Sequence, residues 1–277
     1  MLEYLARSPK PDRGIPAQTY LQHVSEVLSL ATGFAKNAAV YSANGPLLIE
    51  AVEYAASYHD LGKLDEMNQA VLKTGGAGRL PLAHWDAGSA HLLAGAKFKV
   101  NNLAALSVYS HHSGLPSFAE EEVKGLGKVL RELSALERTN SELQRYLEAH
   151  VALFGNSIIS STTFKGSTSP MFMRMALSCL VDADHTDSAR HCGNSVPEGE
   201  VSLEPARRLA ALDNYVANIP PEKGKEVRNE LRRQVYGACR NAQPAENGLI
   251  ACDSPVGTGK TTAIMAHLLN VAAQKGL

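Results

Sequence analysis

The sequence has no excess of charge of either sign. Lys and Arg together number 27 and Asp and Glu number 28, which gives a formal net charge of −1. A protein that holds nucleic acid through a broad basic surface carries a clear positive excess. Any polyanionic substrate of this chain must therefore be held locally, by a small number of groups.

The sequence also lacks the signatures of secreted and membrane proteins. Its four cysteines show no C-x-x-C spacing, and the opening residues "MLEYLARSPKPDRG" contain no apolar signal segment. No run approaches the ~20 apolar residues that a membrane-spanning helix needs. We expect reduced thiols, a cytoplasmic location and no membrane partner.

Alternating strand patterns are nearly absent before residue 247, and helical periodicity takes their place. In residues 17 to 33, Leu21, Val24 and Leu28 follow helical spacing and Gly33 is a stop signal. Similar patterns cover residues 47 to 64, 86 to 98, 101 to 112, 120 to 151, 170 to 186, 204 to 217 and 222 to 242. The sequence therefore predicts an all-α fold, and its 44% hydrophobic residues can fill a core.

Loop composition marks three interruptions, at residues 73 to 81, 156 to 170 and 191 to 200. The last is the best domain boundary, because the helices after it are strongly charged and lead to a different pattern. We predict a helical domain over residues 1–200, a helical linker over 201–245 and a strand, turn and helix over 246–277.

The segment after residue 246 has the form of a phosphate loop. A short apolar, strand-like run from Leu249 to Cys252 precedes a glycine-rich turn and a helix. The turn reads S-x-x-G-x-G-K-T, as in helicase motif I, with Ser254 where the strict phosphate-loop pattern has glycine. The alternative is an ordinary glycine-rich turn. The residues expected to bind a nucleotide are Gly257, Gly259, Lys260 and Thr261.

The nucleotide site predicted from this segment is incomplete. No Asp-Glu metal motif and no further strand-helix units follow Lys260 before Leu277. The segment looks like the first part of a motor domain, and we expect ATP and Mg²⁺ to act only in a longer chain.

The adjacent His59 and Asp60 lie in the helical stretch "YAASYHDLGKLDEMNQ". They are either polar residues at a capped helix end or two ligands of one metal ion. Taken singly, His23 and the pair His111-His112 are also more often ordinary hydrogen-bonded histidines. Taken together, each lies at the inner edge or the end of a predicted helix, which is the arrangement that a two-metal site requires.

Five motifs follow one another along the chain: His23, "HDLGK" at 59–63, "HWDAGSA" at 84–90, "HHSG" at 111–114 and "LVDADHTDS" at 180–188. Their order resembles the HD phosphohydrolase superfamily. More narrowly, it is similar to the HD nuclease domain of the CRISPR-associated nuclease-helicase of type I interference systems, because a helicase motif I follows in the same chain. The resemblance covers residues 17–188 and 225–277.

The resemblance implies two metal ions. The first would be held by His23, His59, Asp60 and Asp184, and the second by Asp60 as a bridge together with His84, His111 and His112. Five histidines favour Mn, Fe, Co or Ni, while Mg remains possible. Asp60 and Lys63 would be the catalytic residues, and the positive charge of Lys63 would lie near the scissile phosphate. The alternative for Lys63 is a solvated surface lysine.

Several polar residues near the motifs are candidates for supporting roles. Of the two acids in "VDAD", Asp184 continues an apolar line of its helix and is the better ligand, which leaves Asp182 a supporting or capping role. Asp86 and Ser89 could orient ligand imidazoles, and a helix N-cap is equally compatible with Asp86.

The function implied by the resemblance is metal-dependent hydrolysis of single-stranded DNA in type I CRISPR interference. The chain would be a monomer that works with an RNA-guided surveillance complex and, in a longer chain, with an ATP-dependent helicase. The alternative enzyme is an HD-type nucleotide or cyclic-nucleotide phosphohydrolase. A non-enzymatic docking module that has kept its histidines is a third interpretation.

Overall fold

A computed structural model describes residues 3–75, 79–94, 100–155, 169–194, 202–244 and 250–276, and these residues are mostly helical. The helices are α1 Tyr20–Ala39, α2 Gly45–Tyr58, α3 Glu66–Thr74, α4 Trp85–Leu93, α5 Val100–Ser110, α6 Phe118–Val123, α7 Leu136–Phe154, α8 Pro170–His191, α9 Pro205–Ala217, α10 Glu226–Asn241 and α11 Lys260–Lys275. The strands of the described ranges are β1, Leu5–Arg7, and β2, Gln18–Thr19, which pair antiparallel. The prediction of a helical fold is confirmed.

Local sequence explains where the long helices begin. At the start of α1, Thr19 accepts a hydrogen bond from the Gln22 backbone N–H and the Gln22 side chain accepts one from the Thr19 backbone N–H, which forms a capping box. At the start of α8, Ser169 caps the N–H of Phe172 and Pro170 occupies the first turn. These two helices carry the first and last ligands predicted for the metals.

Two of the predicted helices are interrupted, so their continuous extents are wrong. The predicted helix over 47 to 64 ends at Tyr58 and resumes as a 3-10 turn, Leu61–Leu64, with His59 and Asp60 at the break. The predicted helix over 120 to 151 is replaced by α6 and α7, because Gly125 and Gly127 adopt positive φ between them.

The chain divides into two compact units, Met1–Val196 and Pro197–Leu277. In the first, α1 packs on α2 and α8, while α5 packs on α2 and α4. Its core includes Tyr20, Val27, Val52, Tyr58 and Leu180, all fully buried. The core therefore surrounds the helix ends from which the predicted ligands project.

The second unit contains α9, α10 and α11, with a small core of Leu209, Ala266 and Leu269. Residues 250–255 form no strand, so the described part of the predicted strand is wrong; Leu249 lies outside the described residues. A parallel strand needs a neighbouring strand for its hydrogen bonds, and the described part of this unit supplies none. No helix in the described ranges is both long and apolar enough to cross a membrane.

Candidate metal centre

The predicted ligands form two groups at the ends of the core helices. His23, His59 and Asp184 form the first group, and His84, His111 and His112 form the second. Within each group the ligand atoms all lie within 4.8 Å of one another. The structure therefore brings together side chains from α1, α8 and the ends of α2, α4 and α5, each of which could contribute to holding a metal ion.

The carboxylate of Asp60 lies between the two groups. Its Oδ2 is 2.8 Å from His23 Nε2 and 3.5 Å from His59 Nε2, while its Oδ1 is 3.3 Å from His84 Nε2. One oxygen thus faces each group. A carboxylate can bind two ions in this way, whereas an imidazole presents only one free lone pair.

The hydrogen bonds of the first group leave lone pairs facing one another. His23 Nδ1 donates to Asp187 Oδ2 at 2.6 Å and His59 Nδ1 donates to the Ala56 carbonyl at 2.8 Å. In neutral rings both Nε2 atoms then carry lone pairs, and they lie 3.2 Å apart. Burial lowers the pKa of His59, which disfavours a proton there. The donor set fits a cation between the rings.

The second group also contains neutral imidazoles whose Nε2 atoms are available to a metal. His111 Nδ1 donates to the Val108 carbonyl at 2.7 Å, which leaves its buried Nε2 without a hydrogen-bond partner among the described residues. His84 Nε2 and His112 Nε2 lie 2.8 Å apart. Burial lowers the pKa of His84 strongly and those of His111 and His112 to about 4. Neutral imidazoles are the form that binds a metal.

Lys63 is buried against Asp60 and is not a solvated surface lysine. Its Nζ lies 2.6 Å from Asp60 Oδ2. Burial alone would raise the pKa of Asp60, but the charge of Lys63, the largest of several opposing contacts, helps to hold that pKa well below its usual range. Asp60 Oδ2 nevertheless lacks a hydrogen bond of good geometry, because its close contacts are poorly aligned. A buried, ionised and incompletely bonded oxygen is a strong candidate ligand.

Two residues that the sequence prediction missed, Arg7 and Asp187, support the first group. Arg7 Nη2 donates to Asp184 Oδ1 at 3.0 Å, and its Nη1 donates to Asp187. Asp187 in turn orients His23. Burial would raise the pKa of Asp187, but the hydrogen bonds from His23 and Arg7 lower it to about 2. The sequence signal that could have identified Asp187 is its position in the "LVDADHTDS" motif, one helical turn after Asp184.

Glycines in the two motifs allow the ligand helices to approach closely. A Cβ atom on Gly62 would lie 2.6 Å from the His84 carbonyl oxygen, which accepts a hydrogen bond from the Gly62 N–H at 2.9 Å. A Cβ atom on Gly88 would lie 2.0 Å from the carbonyl oxygen of Tyr58, next to His59. Larger side chains at either position would separate the ligands.

The remaining predicted residues have other roles in this structure. Asp182 is exposed and accepts a hydrogen bond from Ser178 at 3.3 Å. Asp86 is buried, but it accepts hydrogen bonds from Arg131 at 2.8 Å and orients no imidazole. The Ser89 hydroxyl makes no hydrogen bond to any described residue. The suggestion that Asp86 and Ser89 orient ligands is therefore wrong for this structure.

Two cavities open beside the cluster. One, of about 290 Å³, is lined by Arg7, Lys63, His84, His112 and Asp184, among others. A larger one, of about 590 Å³, is lined by His111, His112 and one face of α8. Because His112 lines both cavities, a substrate in either one would lie next to the cluster.

The predicted phosphate loop lies in the second unit. Gly257 and Gly259 adopt φ angles of 83° and 81°, conformations that glycine permits. Lys260 begins α11, and its Nζ donates to the Ser254 carbonyl at 2.6 Å. Thr261 follows in the first turn of the helix and is exposed. This is a glycine turn at a helix N-terminus, the local geometry on which phosphate binding depends.

No protein-family model matches the chain, and a search of curated proteins found no similar sequence.

Proposed function

We propose that the first unit is a metal-dependent phosphodiester hydrolase that cleaves single-stranded DNA. The observation that carries the proposal is the position of Asp60, which turns one carboxylate oxygen toward each of two ligand groups. Two bound divalent ions, with Mn, Fe, Co or Ni favoured over Mg by the five imidazoles, would supply a lowered water pKa and neutralise phosphate charge.

The side chains of the cluster have separate tasks in this proposal. The first group, the second group and Asp60 are the ligands, and Asp187 holds the His23 ring so that Nε2 faces inward. Lys63 lies beside Asp60 and places a positive charge where a phosphate would approach. Arg7, through its bond to Asp184, holds that carboxylate in place.

The cavities favour a polymer as the substrate. A phosphodiester within a strand carries chain on both sides of its reacting phosphate, so it needs space for both. His112 of the cluster lines both cavities, which could hold the two flanking parts of a strand. A single strand fits such a site more readily than a duplex, because its bases and backbone can bend separately.

The broader assignment follows the same resemblance. We propose that this nuclease acts with an RNA-guided surveillance complex of a type I CRISPR system. The phosphate loop of the second unit would bind ATP and Mg²⁺ only where a longer chain completes the site.

The direct test compares three substrate classes under one set of conditions. Protein loaded with Mn²⁺ or Ni²⁺ is incubated with single-stranded DNA, deoxynucleoside triphosphates or cyclic dinucleotides, and again after EDTA. We expect metal-dependent cleavage of the single strand. Hydrolysis of the nucleotides alone would identify a nucleotide phosphohydrolase instead, and no hydrolysis of any substrate would favour a docking module.

A further inference from the structure

The larger cavity continues away from the cluster along α8 and contains groups that the proposed metal chemistry does not use. It is bounded at one end by His111 and His112 and along one side by α8. We refer to it as the α8 groove. Its volume of about 590 Å³ falls within the range of small-molecule binding sites, so it can hold a unit the size of a nucleotide.

One face of α8 supplies most of the wall. The residues of this helix that line the groove recur at intervals of three and four positions, from Arg174 to His185. Eleven helical steps span roughly 16 Å. The wall is therefore longer than the metal cluster itself and leads away from it in one direction.

The chemistry of the wall suits a nucleotide. Leu115, Leu177 and Val181 offer apolar contact for a base. Arg174 is exposed and forms no ion pair with any described residue, so its guanidinium is available. Arginine binds phosphate oxygens with two parallel hydrogen bonds, which makes it well suited to a backbone phosphate.

The groove also contains one opposing charge. Asp182 is its single carboxylate among the described lining residues, and it is exposed. A carboxylate repels a phosphodiester backbone, and removing it should strengthen binding. Arg174 and Asp182 line the same groove, eight residues apart on α8. Their substitution should therefore change the affinity for a phosphodiester in opposite directions.

We propose that the α8 groove binds the nucleotide adjoining the scissile phosphate, with Arg174 contacting its backbone phosphate and Asp182 limiting the affinity. This inference rests on the proposed function, because the occupant is the strand that the cluster would cut. His112 belongs to both the groove and the cluster, so a strand in the groove presents its next phosphate to the metals.

Binding without cleavage tests the groove directly. Anisotropy of a fluorescein-labelled oligo(dT) is measured with the full chain in EDTA, over a series of salt concentrations. We expect Arg174→Ala to weaken binding about tenfold, as for loss of a charge-assisted hydrogen bond. The slope of log K against log salt should fall by about 0.7, the value for one phosphate contact on a single strand.

The paired variants set the sign of the effect. Asp182→Asn should bind the oligonucleotide several times more tightly than the wild type. Arg13→Ala removes an arginine that is 70% exposed on its side chain and lines neither cavity, and should match the wild type. Equal affinities for wild type, Arg174→Ala and Asp182→Asn, or no binding by the wild type, would overturn the proposal.

The proposed function is judged by a separate reaction. Wild-type protein loaded with Mn²⁺ is given bis(p-nitrophenyl) phosphate, a diester too small to need the groove. Absence of hydrolysis there would count against the nuclease proposal, whereas the anisotropy measurements in EDTA decide the groove irrespective of that result.

Discussion

The metal cluster of the first unit and the phosphate loop of the second are built in different ways. The cluster gathers side chains from across the chain, from His23 to Asp184, and Asp60 and Asp187 link them. The loop is a short contiguous segment whose lysine bonds to a carbonyl six residues earlier. The cluster draws its candidate ligands from distant parts of the first unit, whereas the loop consists of backbone donors and one lysine from a single short segment.

The largest expected effect comes from Asp60, where the cluster depends on one side chain. Asp60→Ala should abolish hydrolysis and lower the metal content of both groups, because its two oxygens face both. His112→Ala should lower mainly the content of the second group. Metal analysis after loading with Mn²⁺ checks this, and two ions per chain in Asp60→Ala would refute the bridging role.

A second comparison separates the two acids of α8. Asp184 lies 3.5 Å from His23 and bonds to Arg7, while Asp182 is exposed. Asp184→Asn should therefore be inactive, and Asp182→Asn should retain measurable cleavage of single-stranded DNA. The reverse outcome in the same assay would exchange their roles.

The residues behind the ligands should have an intermediate effect. Asp187→Asn should lower metal affinity by about 10- to 100-fold, because the amide no longer fixes His23 through a charged hydrogen bond. The loss should be confined to the first group. Chelator competition measures it, with exposed Asp12→Asn as the control; an unchanged affinity in Asp187→Asn would show that His23 needs no such support.

Acid should destabilise the core that carries the cluster, through a histidine outside it. Burial lowers the pKa of His150 to about 4, and its Nδ1 lies 3.1 Å from the Tyr20 hydroxyl. The unfolded chain takes up this proton near pH 6.5, so stability is lost as pH falls from about 6.5 toward 4. Urea unfolding should show a loss on the order of 3 kcal/mol that His150→Gln reduces. If the unfolding free energies of the wild type and His150→Gln fell in parallel with pH, His150 would not be the cause.

The smallest effect is expected at the phosphate loop. Cleavage of single-stranded DNA by this chain should be independent of ATP and unchanged in Lys260→Ala, because the described residues of the second unit form no strand beside the loop and no group of metal-binding side chains. Rates with and without ATP check this. If ATP stimulated cleavage and Lys260→Ala removed that stimulation, the loop would be a working nucleotide sensor. The two sites would then both function in this chain.

The sequence predicted helices well because their signals are local. The apolar periodicity and the proline at 170 placed most helices within a few residues. The stop predicted at Gly33 is wrong, because α1 continues through that residue to Ala39. The break between α6 and α7 escaped prediction, although Gly125 and Gly127 were visible, because apolar periodicity continues across them. The strand predicted from Leu249 to Cys252 does not form in its described part, where the described residues offer no neighbouring strand.

The candidate site was predictable only where it consists of motifs. The resemblance implied the histidines and Asp60 as ligands, and the structure brings them together. Arg7 and Asp187 were not predicted, because their role depends on β1 packing near α8, a contact between positions far apart in the chain. The pairing of Asp86 with Arg131 was missed for the same reason.

The first ligand group has a further consequence for the durability of the protein. His23, His59 and Asp184 come from distant parts of the chain, so an ion bound to them would act as a removable cross-link that closes long loops. Since such an ion binds only the folded chain, the free energy of unfolding of this unit would rise with the logarithm of free metal concentration, and proteases would find it unfolded less often. The free metal concentration would then affect the lifetime of the folded protein as well as its rate of reaction.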